Sequence, residues 1–265
     1  MAISSKPNGA IFNVYSPEIL FLRKQNDTIN QMKLSIVMPV YNEGEVIAET
    51  IRRVENSVQI PHELLIVYDM DEDTTVPQVK KLQKKYSQVK LVKNIFGRGA
   101  LNALKTGLVK ARGDAVCVMM ADLTDDPKVI NQMMEKVNHG YDIVAASRYM
   151  PGGRQIGGPF IKQLLSRIAG ISLHYLVGIP THDATNSFKI YSRKFLEKTK
   201  IESDGGFELG IELTVKAYFG GYKIAEVPTT WTYLAKESRF FMRKWLPKYL
   251  KWYFWALAQK LSDKP

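Results

Sequence analysis

The sequence predicts an α/β fold in which a mostly parallel sheet is flanked by helices. Apolar runs of strand length alternate with segments of helical periodicity from Lys33 onward, and strands separated by helices form parallel sheets. Polar residues follow the predicted strands at their carboxyl ends, where such sheets bind ligands. With 265 residues, 45% of them apolar, the chain is long enough to bury a substantial core.

A change of periodicity marks each predicted element. Apolar runs predict strands at 34–40, 64–68, 89–92, 115–119 and 143–146, and helical spacing predicts helices at about 45–55, 76–86 and 100–110. The stretch from Leu164 to Ile179 is apolar, but Gly170 and Gly178 weaken it as a single helix. An amphipathic surface helix or a broken pair is one interpretation, and a buried core segment is equally consistent.

Composition divides the chain into three parts. Residues 1–32 form an N-terminal extension with weak periodicity, residues 33–235 form the α/β domain, and residues 236–265 form a basic, aromatic C-terminal segment. This last segment holds eight Lys or Arg residues against two acidic ones, so it carries +6 of the formal net charge of +11. Basic amphipathic helices that are rich in Trp and Tyr suit a membrane interface.

We expect peripheral attachment at the cytoplasmic face of a membrane. No apolar run approaches the roughly 18 to 20 residues of a spanning helix, because lysines interrupt the best candidate. The N-terminus lacks the features of a secretory signal peptide. Cys117 is the only cysteine, which excludes a disulfide framework. The positive charge is concentrated at one end without a recognition motif, so nucleic acid is not an expected partner.

Four polar groups follow the predicted strands and should meet in one cleft. They are Pro39 to Glu43, Asp69 to Thr75, Gly97 to Gly99 and Ala121 to Asp126. The carboxylates of Asp69, Asp71 and Asp73 repel one another unless a cation or hydrogen-bond donors compensate them, so this loop is a candidate for nucleotide or metal binding. A solvated loop with a helix cap is the alternative. Gly97-Arg98-Gly99 precedes a helix and fits a phosphate at its N-terminus, or a plain turn.

The second half offers fewer candidates for chemistry. Arg148 follows a strand-like run, and arginine binds phosphate in a bidentate manner, although a solvated arginine beside a glycine-rich loop is the alternative. Asp183 and Glu212 stand near apolar runs, where a buried carboxylate acts as a general base, a helix cap or half of an ion pair. The four histidines have no metal-ligand spacing.

Taken in order, these residues resemble the inverting family-two glycosyltransferases of GT-A (Rossmann-like) fold. Within that family they resemble the dolichol-phosphate mannose synthase group, which transfers sugars to polyprenyl phosphates. The resemblance covers roughly residues 33 to 240. The matching positions are Pro39, Tyr41, Asn42, Glu43, Asp69, Asp73, Thr75, Gly97, Gly99, Gly107, Asp122, Ser147–Tyr149, Gly152, Gly153, Ser166, Arg167, Asp183, Ser187, Phe188, Glu212, Glu226–Pro228 and Glu237–Arg239.

This resemblance implies transfer of a hexose from a GDP- or UDP-linked sugar to polyprenyl phosphate with inversion. It implies that Pro39, Tyr41, Glu43 and Asp69 hold the base and ribose of the donor. The other candidates for the donor site come from the loops described above and are Asp71, Asp73, Gly97 and Arg98. The candidate catalytic residues are Asp122, Arg148, Arg167 and Arg239, and the three arginines are candidates for bringing two phosphate-bearing substrates together against their repulsion. Asp122 would also direct a Mg or Mn ion onto the diphosphate, while Asp183 or Glu212 would act as a base or in the acceptor site.

Three positions depart from the family pattern. Met120 replaces the first Asp of an Asp-x-Asp motif, Thr124 stands where a further metal ligand can occur, and Tyr233 stands where Arg is often found. Asp71 also replaces a small residue of the acidic loop, so a rearranged cation site that uses Asp71, Asp122 or Asp125 is open. Two other functions are also open, namely transfer to a hydroxyl acceptor with a carboxylate base, and a catalytically lapsed membrane-surface protein that binds a sugar-nucleotide.

Overall fold

A computed structural model describes residues 34–234 and 242–262. Nine strands are assigned in this part of the chain: β1 Leu34–Pro39, β2 His62–Tyr68, β3 Val89–Lys93, β4 Ala115–Val118, β5 Ile143–Ser147, β6 Arg154–Ile156, β7 Lys189–Ser192, β8 Ile224–Pro228 and β9 Thr230–Thr232. The helices are α1 Ile47–Ser57, α2 Thr75–Leu82, α3 Ala100–Lys110, α4 Val129–Asn138, α5 Phe160–Ser172, α6 Arg193–Lys198, α7 Leu209–Phe219 and α8 Met242–Ser262. A π-helical turn, Leu173–Val177, continues α5.

The strands form one large sheet and one small one. The seven-stranded sheet has the order β3-β2-β1-β4-β7-β5-β8, and β6 pairs with β9 in a separate two-stranded sheet. β7 runs antiparallel to both of its neighbours, while the other pairs in the large sheet are parallel. The predicted mostly parallel α/β sheet with flanking helices is confirmed.

The central strands are buried on both faces, which explains their continuous apolar sequences. Side chains from Leu34 to Met38 are 0% exposed. Helix α3 packs very close to this sheet at Gly107, where an added Cβ atom would lie 2.1 Å from Cγ1 of Val37. The predicted helix at 76–86 is shorter in the structure, because the chain turns after Leu82 and the Gln83 side chain donates to the Val89 carbonyl.

The stretch from Leu164 to Ile179 contributes to a surface helix and a π-helical turn. Helix α5 exposes several large apolar side chains and is buried at Gly170. A Cβ atom there would lie 2.2 Å from the carbonyl oxygen of His182, so only glycine permits this approach. The π-helical turn ends at Gly178, where φ is 94°. The surface-helix interpretation is therefore correct, and the core interpretation applies only to single positions such as Val177.

The C-terminal segment is helical from Met242 to Ser262, and its inner face joins the core. Trp252 is 3% exposed and Ala256 is 0% exposed. No described helix is both long enough and apolar enough to cross a membrane. That α8 lies at a membrane interface stays a prediction. The N-terminal extension and Arg239 lie outside the described residues.

Candidate active site

A pocket of about 1010 Å³ opens at the carboxyl ends of the parallel strands. The segment from Pro39 to Glu43 lines it after β1, Asp69 after β2, and Met120 and Asp122 after β4. Arg98 lines it from the turn before α3. The polar loops thus meet in one cleft, as expected from the order of strands and helices.

The acidic loop after β2 sends only part of its charge into this pocket. Asp69 lines the pocket and accepts hydrogen bonds from the Asn94 side chain at 2.7 Å and from the Gly99 amide at 2.8 Å. It thereby fixes the turn that presents Arg98. Gly99 has φ of 125°, a conformation that favours glycine.

Asp71, Asp73 and Gly97 lie outside the pocket lining. Asp71 is exposed and pairs with Lys93, and the hydrogen bond from Lys93 lowers the pKa of Asp71. Asp73 is 0% exposed, and its carboxylate accepts from the backbone amides of Asn42 and Thr75. It ties the loop after β1, where Asn42 has φ of 55°, to the start of α2. The structure therefore places Asp73 behind the loop that follows β1, where it supports that loop.

Two carboxylates stand together at the end of β4. Asp122 accepts hydrogen bonds from the Thr124 amide at 3.2 Å and from its hydroxyl at 2.6 Å. Asp125 is 5% exposed and accepts from the Met120 amide at 3.2 Å. Burial and then the Asp122 charge raise the pKa of Asp125 to about 7. Met120 thus contributes its backbone to this site, and Thr124 orients Asp122.

The carboxylates of Asp122 and Asp125 fit a divalent cation that is also bound by the phosphates of a substrate. Among the described residues, no group of three or more His, Cys, Asp or Glu side chains is arranged to hold a metal ion. Mg²⁺, however, is usually held by one or two carboxylates together with substrate phosphates and water. Asp122 and Asp125 supply two such carboxylates, and their mutual repulsion is the feature that a cation would relieve.

Arg148 is held in a buried ion pair beside the carboxylates. Its Nε donates to Oδ2 of Asp183 at 2.7 Å, and its Nη2 donates to Oδ1 of Asp183 at 2.9 Å. Burial raises the pKa of Asp183, but the Arg148 charge outweighs it and holds that pKa below its usual range. Burial likewise lowers the pKa of Arg148, and the Asp183 charge more than offsets this. Both groups therefore stay charged, and the guanidinium is fixed at the pocket wall.

Helix α5 adds two polar side chains that sequence reasoning did not single out as site residues. Lys162 and Ser166 line the pocket and stand four residues apart, so they share one helix face. The Ser166 hydroxyl accepts from Nη2 of Arg148 at 3.0 Å and from the Tyr149 hydroxyl at 3.0 Å. Burial lowers the pKa of Lys162. Ser166 is among the positions that match the family pattern, and the available signal for Lys162 was its spacing of four residues from Ser166.

Two other predicted residues occupy different places. Arg167 lies outside the pocket lining, since it follows Ser166 and projects from a different face of α5. Glu212 also lies outside it. Its buried carboxylate accepts from the Ser203 amide at 2.9 Å and from Nζ of Lys216 at 2.7 Å, so it ties α7 to the preceding loop.

The outer part of the pocket is apolar. It is bounded by α5 on one side, through Leu165 and Ile168, and by α8 on the other, through Leu246 and Leu250. A bond of 2.9 Å between the hydroxyls of Ser172 and Tyr253 joins the two helices. The pocket therefore has a charged inner end and an apolar outer trough.

The sequence profile described as glycosyl transferase family 2 matches residues 35–200. The chain belongs to glycosyl transferase family 2. It is 30% identical over 225 residues to the dolichol-phosphate mannosyltransferase of Pyrococcus furiosus, with 83% of this chain and 62% of that relative covered. It is 30% identical over 205 residues to the polyprenol monophosphomannose synthase of Mycolicibacterium smegmatis, with 74% and 76% covered. The chain thus spans less than two thirds of the first relative's length.

Solved structures share the fold of this chain. Glucosyl-3-phosphoglycerate synthase from Mycobacterium tuberculosis in complex with UDP has a TM-score of 0.61 at 16% identity, covering 99% of this chain and 88% of that one. The same enzyme in complex with Mn²⁺, UDP and glucosyl-3-phosphoglycerate has a TM-score of 0.62 at 17% identity, covering 99% and 88%. This likeness concerns the fold alone.

Proposed function

We propose that this protein is a glycosyltransferase that moves a hexose from a nucleotide-sugar to a polyprenyl phosphate at a membrane surface, with inversion. The observation that carries the proposal is the two-part pocket. Its inner end holds carboxylates and cations, and its outer trough between α5 and α8 is apolar. An acceptor with a phosphate head and a long hydrocarbon tail needs both parts. The two relatives, a dolichol-phosphate mannosyltransferase and a polyprenol monophosphomannose synthase, support the same acceptor class.

The donor would lie over the ends of β1 and β2. Pro39, Tyr41, Glu43 and Asp69 line that side of the pocket and would hold the base and ribose of a GDP- or UDP-linked sugar. Arg98 is presented by the turn that Asp69 fixes, which places a cation near the nucleotide. Asp122 and Asp125 would hold a Mg or Mn ion. Such an ion, when bound, stabilises the charge that develops on the departing diphosphate.

The acceptor phosphate would bind at Arg148, Ser166 and Lys162. Among contacts between described residues, Arg148 uses Nε and Nη2 for its bonds to Asp183, Ser166 and Thr185, which leaves Nη1 for a ligand. Lys162 adds a second cation from the same helix face as Ser166. Two cations reduce the repulsion between two phosphate-bearing substrates.

No strong base is required for this acceptor. A phosphate monoester has a second pKa of about 6, so its oxygen is already ionised near neutral pH and can attack the anomeric carbon directly. Attack opposite the leaving nucleotide gives inversion. The environment of Asp183 agrees with a mechanism that uses no carboxylate base. Both of its oxygens accept hydrogen bonds from Arg148, and its pKa is below the ordinary value.

The apolar face of α5 supports contact with a bilayer. Phe160 is 73% exposed and Ile161 is 61% exposed at the start of that helix, two residues or fewer before Lys162 of the pocket. On α8, Phe254 is 59% exposed. The C-terminal segment also carries a charge of +6, and each basic residue near an anionic leaflet adds about 1 kcal/mol of attraction. This arrangement would open the trough toward the lipid.

The test is sugar transfer by the wild-type protein across a panel of nucleotide-sugars, with and without Mg²⁺ or Mn²⁺. We expect one nucleotide-sugar to give a product in which the sugar is linked to polyprenyl phosphate. We expect Asp122→Asn to lower the rate of this transfer at least 100-fold. Asp126→Asn, which changes a carboxylate of the same loop outside the pocket, is the matched control and should keep the wild-type rate. A wild-type protein that neither binds a nucleotide nor transfers any sugar would refute the proposal.

A further inference from the structure

The most deeply buried lysine among the described residues contacts the turn that pairs with Arg148. Lys189, the first residue of β7, is 0% exposed. Its ammonium group donates to the backbone carbonyls of Asp183 at 3.2 Å and Ala184 at 3.1 Å, and also to that of Asn186. An ammonium group has three N–H donors, so all of them end on main-chain oxygens of one short turn.

That turn carries the groups that orient Arg148. Asp183 holds the guanidinium through two oxygens, and the Thr185 hydroxyl contacts both Arg148 and Ser166. The side chain of Asn186 donates to the Ala146 carbonyl at 2.8 Å, which ties the turn to the strand before Arg148. Lys189 lies outside the pocket lining and would not touch a substrate.

The structure points to Lys189 as a positioning residue for the acceptor phosphate. We infer that its ammonium group sets the turn 183–186 so that Arg148 presents its guanidinium at the pocket wall. This inference rests on the proposed function, since it assigns Arg148 to the phosphate of a polyprenyl phosphate acceptor.

The free-energy cost of burying the ammonium group of Lys189 indicates that this lysine has a specific role. Burial lowers the pKa of Lys189 to about 7, against the opposing charge of Asp183. An apolar side chain of similar length would fill the same volume without this cost. It would also leave three buried carbonyl groups without their donor, and buried polar groups are rarely left in that state. Packing alone therefore does not account for a lysine at this position.

The test compares Lys189→Met with the wild-type protein in steady-state transfer. We expect KM for polyprenyl phosphate to rise at least tenfold, while KM for the donor and Kd for the nucleotide change less than twofold. Lys105→Met is the matched control, because Lys105 is also buried and donates to a carbonyl, that of Ser203, on a different loop. Lys105→Met should not raise KM for the acceptor selectively over KM for the donor.

A double-mutant cycle decides whether Lys189 acts through Arg148. In an Arg148→Lys background, Lys189→Met should change KM for the acceptor by less than twofold, because the positioned guanidinium is already absent. A folded Lys189→Met protein with wild-type acceptor KM would overturn the inference, as would an undiminished effect in the Arg148→Lys background.

A second variant keeps the test decisive if Lys189→Met does not fold. Lys189→Gln removes the charge and leaves two N–H donors toward the turn in place of three. It should also raise KM for the acceptor while KM for the donor changes less than twofold, and a wild-type acceptor KM would overturn the inference. Wild-type protein that does not use polyprenyl phosphate would instead refute the proposed function. The two failures are therefore distinguishable.

Discussion

At the residue scale, the ion pair between Arg148 and Asp183 is central to the proposed acceptor site. A buried arginine is tolerable only with a counter-ion and further hydrogen-bond acceptors, and Asp183, Ser166 and Thr185 supply them. The same contacts fix the plane of the guanidinium. The polar neighbours of Arg148 thus hold its guanidinium at the pocket wall, where the proposed acceptor phosphate would bind.

This geometry predicts that Lys162 contributes more to acceptor binding than Arg167. Lys162→Ala should raise KM for polyprenyl phosphate about tenfold, which corresponds to about 1.4 kcal/mol, because one of the two cations assigned to the acceptor phosphate is lost. Arg167→Ala removes an equal charge from the same helix outside the pocket lining. Steady-state kinetics compare the two variants, and a larger effect of Arg167→Ala would contradict the assignment.

The ion pair also predicts a specific acid dependence of stability. The folded-state pKa of Asp183 is below its ordinary value of 3.8. Its contribution is therefore fully present above about pH 4 and is lost as pH falls through the lower folded-state pKa. Asp183→Asn should cost about 3 kcal/mol or more at pH 7, since it leaves a buried charge without its partner.

Urea unfolding as a function of pH measures this effect. The difference in free energy of unfolding between wild type and Asp183→Asn should shrink as pH falls below about 4, because the ordinary pKa is 3.8 and the folded-state value lies lower. Parallel pH profiles for the two proteins would show that the carboxylate is not responsible.

At the element scale, the structure shows which segments the sequence could predict. β1, β2 and β4 read as apolar runs because helices cover both faces of the sheet. Asp122 and Arg148 could be identified as site candidates from the sequence, since each closely follows a strand of the large sheet. The three-residue strands β6 and β9 could not be predicted, because their pairing is long-range and their sequences show no full alternation.

Helix α5 illustrates why the rest of the site was not predictable. Its apolar side chains fit a surface helix or a core segment equally well by sequence. Close packing of Gly170 on the carbonyl of His182 sets how the helix lies, and only then does Lys162 rather than Arg167 line the pocket. Tertiary contacts of this kind leave no local periodicity in the sequence.

The exposed start of α5 predicts a change in membrane binding. Ile161→Ser should weaken binding to anionic vesicles about tenfold, since burying an isoleucine side chain contributes roughly 1.5 to 3 kcal/mol. Ile95→Ser is the matched control, because Ile95 is 55% exposed but belongs to the segment between β3 and α3. Vesicle sedimentation measures both, and equal binding of the two variants would refute docking through α5.

At the scale of the whole molecule, the chain combines a sheet that presents a polar cleft with two helices that extend it into an apolar trough. The C-terminal helix is part of this pocket, since the Tyr249 hydroxyl donates to the Phe207 carbonyl at 2.8 Å and both residues line it. The sequence predicted that this segment lies at a membrane but did not predict that it lines the pocket. Some of its aromatic residues lie in the core, some line the pocket and some are exposed, and their order in the sequence does not separate the three groups.

The most direct test of the account compares two acceptors that differ in one group. Wild-type protein is given its nucleotide-sugar with either a polyprenyl phosphate or the polyprenol of the same chain length, and the products are identified by mass spectrometry. We predict transfer to the phosphate at a rate at least 100-fold above transfer to the alcohol, because the site offers cations for a phosphate and has its buried carboxylate Asp183 paired with Arg148. Equal or faster transfer to the alcohol, with activity falling at acidic pH, would contradict the account and indicate a carboxylate base.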